Sequence, residues 1–225
     1  MSNSPDEAKT SGQDDSADSA DSGHFDGAYS LETNEQTLKH YRSWAETYDK
    51  EVSEQNGYAQ PKRVADMLQH LEATADSRIL DAGCGSGLSG LALRAAGYSQ
   101  IDGCDFSPEM LEKSREKDCY DTLFEANLNE SLPQLADNAY DVVTCVGVFS
   151  FGHVFPDACD ELLRGLKSGG LFIIALNEPY WDKGDLSDKL NSLEAAGKIR
   201  ILEVQYGEHL PGHDVKGYVI AVQKI

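Results

Sequence analysis

From residue 37 onward the apolar positions fall into short runs whose spacing alternates between helical and extended. Tyr41, Trp44, Ala45 and Tyr48 recur at intervals of three, one and three, which predicts a helix over 37–52. A second helix is predicted to begin near Pro61, a residue favoured in a first helical turn, with Val64, Leu68 and Leu71 on its apolar face. The rhythm then becomes strand, helix, strand. Seven segments read as strands: 78–81, 100–104, 122–125, 140–146, 171–176, 200–205 and 217–223. Helices are predicted over 88–96, closed by Gly97, and from Ser107 as N-cap and Pro108 to about 117. Another is predicted over 156–166, with Ala158, Leu162 and Leu166 on one face and Gly169-Gly170 as its stop. A last helix surrounds Leu186, Leu190 and Leu193 and closes at Gly197. Strands alternating with helices imply an α/β fold with a doubly wound, mostly parallel sheet. The final two strands have no clear helix between them, so they are expected to form a hairpin that makes one strand antiparallel.

The chain has 225 residues, enough for one domain with its own core plus a tail. Residues 1–30 carry seven acids and one base among many Ser and Gly, and are expected to be a disordered acidic tail. Residues 31–225 are expected to form the domain, with helices over 31–75 covering a core of 76–225. The net charge is −20, with 19 Lys+Arg against 39 Asp+Glu, which argues against nucleic acid or an anionic membrane surface as partner. No apolar run approaches the ~20 residues of a membrane span. The N-terminus has neither a basic nor an apolar leader region, so the cytoplasm is the expected compartment. Five cysteines, Cys84, Cys104, Cys119, Cys145 and Cys159, include no C-x-x-C pair and read as small buried hydrophobes rather than a disulfide or zinc framework.

The chemistry-bearing stretch is Ile79-Leu80-Asp81-Ala82-Gly83-Cys84-Gly85-Ser86-Gly87, where the first strand meets the next helix. Glycines there let the backbone turn tightly and let a ligand lie against it, in the usual crevice of an open α/β sheet. Two patterns overlap. Gly85, Gly87 and Gly90 satisfy G-x-G-x-x-G, the dinucleotide fingerprint, while Gly83, Gly85 and Gly87 satisfy G-x-G-x-G with Asp81 two residues ahead. Asp105 ends the second strand, where an acid accepts hydrogen bonds from ribose hydroxyls, and both cofactor classes use it. His153 and His209 are loop histidines that read as exposed side chains sooner than as bases. Asn177-Glu178-Pro179-Tyr180 follows the fifth strand, the wrong place for an amino-methylation motif.

The run Gly103-Cys-Asp105-Phe106-Ser107-Pro108-Glu-Met110-Leu111, together with the glycine turn, Asn127-Leu128, Tyr140-Asp141 leading to Gly147, and Gly169-Gly170, resembles class I S-adenosylmethionine-dependent methyltransferases. Ahead of the glycine turn, Trp44-Ala-Glu-Thr-Tyr48-Asp49-Lys-Glu-Val52, then Gly57-Tyr58 and Pro61, is similar to the methyltransferase-like proteins and their bacterial small-molecule relatives. The resemblance covers about 37–225. It implies a seven-stranded Rossmann-like sheet with N-terminal lid helices, S-adenosyl-L-methionine as cofactor and a small-molecule methyl acceptor. It also implies cofactor contacts from Trp44, Tyr48, Tyr58, Asp81, Gly83, Cys84, Gly85, Ser86, Gly87, Leu88, Asp105, Phe106, Met110, Asn127, Leu128, Val146 and Gly147, with Asn127 facing the adenine amino group. No metal is implied and no oligomeric state is legible. A nicotinamide-dependent oxidoreductase and a non-catalytic cofactor-binding protein are the competing readings, since a glycine turn alone serves all three.

Overall fold

The computed structural model describes residues 46–225 and, ahead of them, Gln36, Lys39, His40, Arg42 and Trp44. The acidic tail expected over 1–30 lies outside the described residues. A turn at 46–47 interrupts the first helical stretch, and a π-helical segment, Lys50–Gln55, follows. Helix α1 spans Gln60–His70, with Pro61 in its first turn and Val64, Met67 and Leu68 buried.

Seven strands form one sheet: β1 Arg78–Ala82, β2 Gln100–Asp105, β3 Thr122–Glu125, β4 Tyr140–Val146, β5 Leu166–Asn177, β6 Ile199–Leu210 and β7 Val215–Lys224. Their order is β3-β2-β1-β4-β5-β7-β6. Only β7 runs antiparallel, pairing β5 on one side and β6 on the other. The remaining helices are α2 Leu88–Ala95, α3 Pro108–Glu116, α4 Ala158–Gly165, α5 Glu178–Lys183 and α6 Asp185–Ala195. Consecutive strand residues point to opposite faces, so each face gains its own apolar core. Ile79, Ile101, Val142 and Ile173 pack with Val64, Leu68 and Leu93 of α1 and α2. Leu80, Val143, Phe172 and Ile174 pack with Leu162 of α4 and Leu186, Leu190 and Leu193 of α6. All five cysteines are buried thiols.

Beyond that interrupted first helix, the structure departs from the periodicity reading at three further places. The helix expected over 156–166 ends at Gly165, and Leu166 is already extended and paired with Tyr140, so Gly169-Gly170 lies inside β5 rather than closing the helix. A register irregularity between Tyr140 and Val142 absorbs that glycine pair, where a Cβ at Gly170 would meet Leu166 and the Asp141 carbonyl. Helix α5 was not expected. Asn177 caps it by accepting the Tyr180 N–H (2.9 Å), with Pro179 in the first turn, so Asn177-Glu178-Pro179-Tyr180 is a helix start. Finally, β6 and β7 run beyond the predicted 200–205 and 217–223, because the hairpin keeps pairing as far as Leu210 and Val215. Among the described residues, no helix is long and apolar enough to cross a membrane.

Candidate active site

The parallel strands stop at their carboxyl ends in loops that diverge, and a cleft opens between the loops after β1, β2, β3 and β4. The cleft is open to solvent at its mouth and of a size to admit a small-molecule ligand.

The glycine turn forms the floor. Gly83 has φ of 74°, and a Cβ there would clash with Val148, so both the conformation and the close approach require glycine. The turn is tied to its neighbours. The Gly83 and Cys84 amides both donate to the Cys104 carbonyl (2.8 and 2.9 Å). The Gly85 carbonyl accepts Ser114 Oγ (2.7 Å), and the Ser86 carbonyl accepts Lys117 Nζ (2.7 Å).

Asp105 stands at the end of β2 with one oxygen accepting the Gly85 N–H (2.8 Å) and the other the Ser107 N–H (2.9 Å). Burial pushes its carboxyl above the usual carboxylate range, and the two backbone donors pull it back. Each oxygen retains acceptor capacity on the cavity side. Beside it, Phe106, Met110 and Leu128 line an apolar slot. Asn127 lines the same slot, but its side chain is partly engaged: Oδ1 accepts the Asn129 N–H (3.1 Å) and Nδ2 donates to Glu130 (2.8 Å).

The opposite wall is aromatic and apolar: Tyr48, Tyr58, Pro61, Val146, Val148 and Val154. Tyr58 packs its hydroxyl where a Cβ at Gly147 would sit, and Gly147 is held by its own N–H to the Ala175 carbonyl (2.8 Å). Behind Tyr58, the buried His209 ring stacks edge-on at 5.3 Å and lies 2.9 Å, Nδ1 to Nε2, from the Gln60 amide. Burial lowers the His209 pKa to about 4, which keeps that ring neutral. His153 lines the cleft from the loop after β4. Its Nδ1 lies 2.7 Å from the Ser150 hydroxyl and 2.8 Å from the Phe151 carbonyl. Asn129 clamps this loop, donating to the His153 carbonyl (2.7 Å) and accepting the Phe155 N–H (2.8 Å). Burial lowers the His153 pKa below the ordinary imidazole value.

Fourteen of the residues expected at the cofactor site line this cleft, from Tyr48 to Gly147; Trp44, Asp81 and Gly87 do not. Trp44 is buried with Val52 and Leu210, edge-on to Tyr48, and its indole donates to Glu51 (2.7 Å), so it backs the aromatic wall. Gly87 is the cap residue of α2. Asp81 is fully buried beneath the turn and accepts three hydroxyls, from Ser89, Tyr120 (2.7 Å) and Thr144 (2.8 Å). Burial raises its pKa and the three donors oppose that. The sequence reading missed His153, Asn129, Val148 and Val154 as site residues. The signal available for them was position alone: all follow closely on strand ends at the carboxyl edge of a parallel sheet. The expectation that both histidines are exposed is corrected: His209 is buried behind Tyr58, and His153 is half-buried within the loop after β4.

Comparison with known proteins agrees with this fold. The methyltransferase domain family matches residues 80–174, from β1 through most of β5. Methyltransferase-like protein 27 of Homo sapiens is 36% identical over 169 residues, covering 72% of this chain and 67% of its own length. The uncharacterized methyltransferase YcgJ of Bacillus subtilis is 29% identical over 154 residues, covering 64% and 58%. A TehB-like S-adenosylmethionine-dependent methyltransferase from Corynebacterium glutamicum superposes with a TM-score of 0.60 at 17% identity, over 83% of this chain and 99% of its own. The crystal structure of YcgJ superposes with a TM-score of 0.55 at 18% identity, over 72% and 97%.

Proposed function

We propose that this chain, which belongs to the S-adenosylmethionine-dependent methyltransferases, methylates a small-molecule acceptor held against Tyr48, Tyr58 and the loop after β4. The cofactor is S-adenosyl-L-methionine, which supplies a methyl group already activated by its sulfonium. The observation that carries the reading is the division of one cleft into two linings. The glycine turn, Asp105 and the apolar slot of Phe106, Met110 and Leu128 suit a nucleoside joined to an amino acid, with Asp105 accepting from the ribose hydroxyls. The aromatic wall suits a second, mostly apolar molecule.

In this reading the protein's work is positioning and exclusion of water. Tyr48 and Tyr58 cover the bound pair. The deciding experiment is calorimetric titration with S-adenosylmethionine, S-adenosylhomocysteine and NAD. The first two should bind and NAD should not; the reverse pattern would sink the reading. Incubation with methyl-labelled cofactor and a metabolite extract should then place label in the small-molecule fraction rather than in protein or RNA.

A further inference from the structure

The segment ahead of α1 touches the two cofactor-side turns at separate points. Asp49 accepts the Ser86 hydroxyl of the glycine turn with one oxygen and pairs with Lys117 through the other (2.5 Å). Lys117 also grips the Ser86 carbonyl, and its side chain is only 17% exposed. Seven residues earlier, Arg42 pairs with Glu109 (2.5 Å), which takes the Ser107 hydroxyl beside Asp105. Between these two clasps lies Tyr48, on the cavity wall.

We infer that Asp49 is a positioning residue: through Ser86 and Lys117 it sets the glycine turn from the N-terminal segment, and so couples docking of that segment to cofactor binding. Three physical points support it. Gly83, Gly85 and Gly87 all have positive φ, so the turn is conformationally free unless tethered. Its other described tethers come from β2, α3 and the residue after α3, all within the sheet's own core, whereas Asp49 belongs to a different part of the chain. An isolated exposed ion pair contributes little, but here one carboxylate bridges a hydroxyl and a lysine side chain that is largely covered and itself held by a backbone carbonyl. A turn set before the ligand arrives loses less entropy on binding. Because the pair is still reached by solvent, salt should weaken it.

This inference rests on the cofactor reading of the cleft, and S-adenosylhomocysteine serves as the probe. Its affinity for the full chain is measured calorimetrically at about 0.05 M and about 0.5 M salt for the parent, Asp49→Asn, Lys117→Met and the double variant. The expected result is about 10-fold weaker binding at low salt for each single variant, and no further loss in the double variant. The parent's affinity should fall more steeply with salt than that of any variant. Hydrogen exchange on peptides covering 46–60 should gain ligand-dependent protection in the parent and lose that gain in Asp49→Asn. Glu at 49 keeps the charge, so Asp49→Glu should recover part of the affinity. A merely structural role would lower the melting temperature of the ligand-free variants while leaving the salt slope and the exchange difference intact. Parent-like affinity and salt slope in both single variants would overturn the inference and leave the cofactor reading standing. Failure of the parent itself to bind the probe would overturn both.

Discussion

The strands on the site side of the sheet, β3, β2, β1 and β4, are 4, 6, 5 and 7 residues long, while β5, β7 and β6 run for 12, 10 and 12. The short strands end in turns that leave room above the sheet, and polar groups are buried there: Asp81, Ser89, Ser114 and Thr144. The long strands pair antiparallel, and β5 and β7 are filled on both faces by residues such as Phe172, Ile173, Ile174, Val219 and Ile220, while the edge strand β6 leaves Leu202, Val204 and Tyr206 exposed. One half is organised around satisfied hydrogen bonds that fix loops, the other around apolar contact that fixes the sheet. The two should therefore fail differently when altered, one losing ligand affinity and the other stability.

The largest effect is expected in the long half. Phe172→Ala removes a fully buried ring and should lower unfolding free energy by about 4 kcal/mol, while the folded fraction keeps its affinity for S-adenosylhomocysteine. Denaturant melts and calorimetry on the same preparation check this, and a large affinity loss would blur the division. Next is Asp81→Ala, which strands the hydroxyls of Ser89, Tyr120 and Thr144 and should cost about 3 kcal/mol in stability. Because Ser89 lines the cleft, affinity should fall as well, making Asp81 the point where the two behaviours meet.

Asp105→Ala should weaken S-adenosylhomocysteine binding by about 2–3 kcal/mol, the loss of charge-assisted bonds to the ribose, with a smaller change in melting temperature. Unchanged affinity would remove Asp105 from the cofactor site. The smallest effect concerns His209, near the end of the edge strand β6, where it faces Gln60 and Arg63. Its folded pKa of about 4 lies below the unfolded value, so the unfolded chain takes up a proton first as pH falls. The native state thus loses stability from pH ~6.5 down to ~4, by ~1 kcal/mol between about pH 7 and about pH 5.5. His209→Asn, whose amide oxygen can still accept from Gln60, should flatten that part of the pH dependence of the melting temperature.

Much of the fold was legible because each element carries its own local signal. Ser107-Pro108 marks a helix start whatever surrounds it, and Ser107 does cap α3 through the Met110 N–H (3.3 Å). The glycine turn and Asp105 were legible as a site because positive φ and a strand-end acid are local requirements. The end of α4 was not, since Gly169-Gly170 is as good a helix stop as Gly165, and only the pairing of Leu166 with Tyr140 selects between them.

The sequence by itself determined the order of the strands, the two faces of the sheet and the glycine turn after β1, because spacing and glycine are properties of neighbouring residues. Tertiary structure decided which polar side chains face the cleft. Asp81 and Asp105 are both aspartates at strand ends beside the same turn. Three hydroxyls from Ser89, Tyr120 and Thr144 close over one, while backbone amides hold the other open to the cleft. The same holds for His153, Asn129 and Lys117, whose partners lie 24 or more residues away apart from the short contacts of the His153 loop itself. Long-range burial and hydrogen bonding, which no local pattern encodes, gave those residues their places.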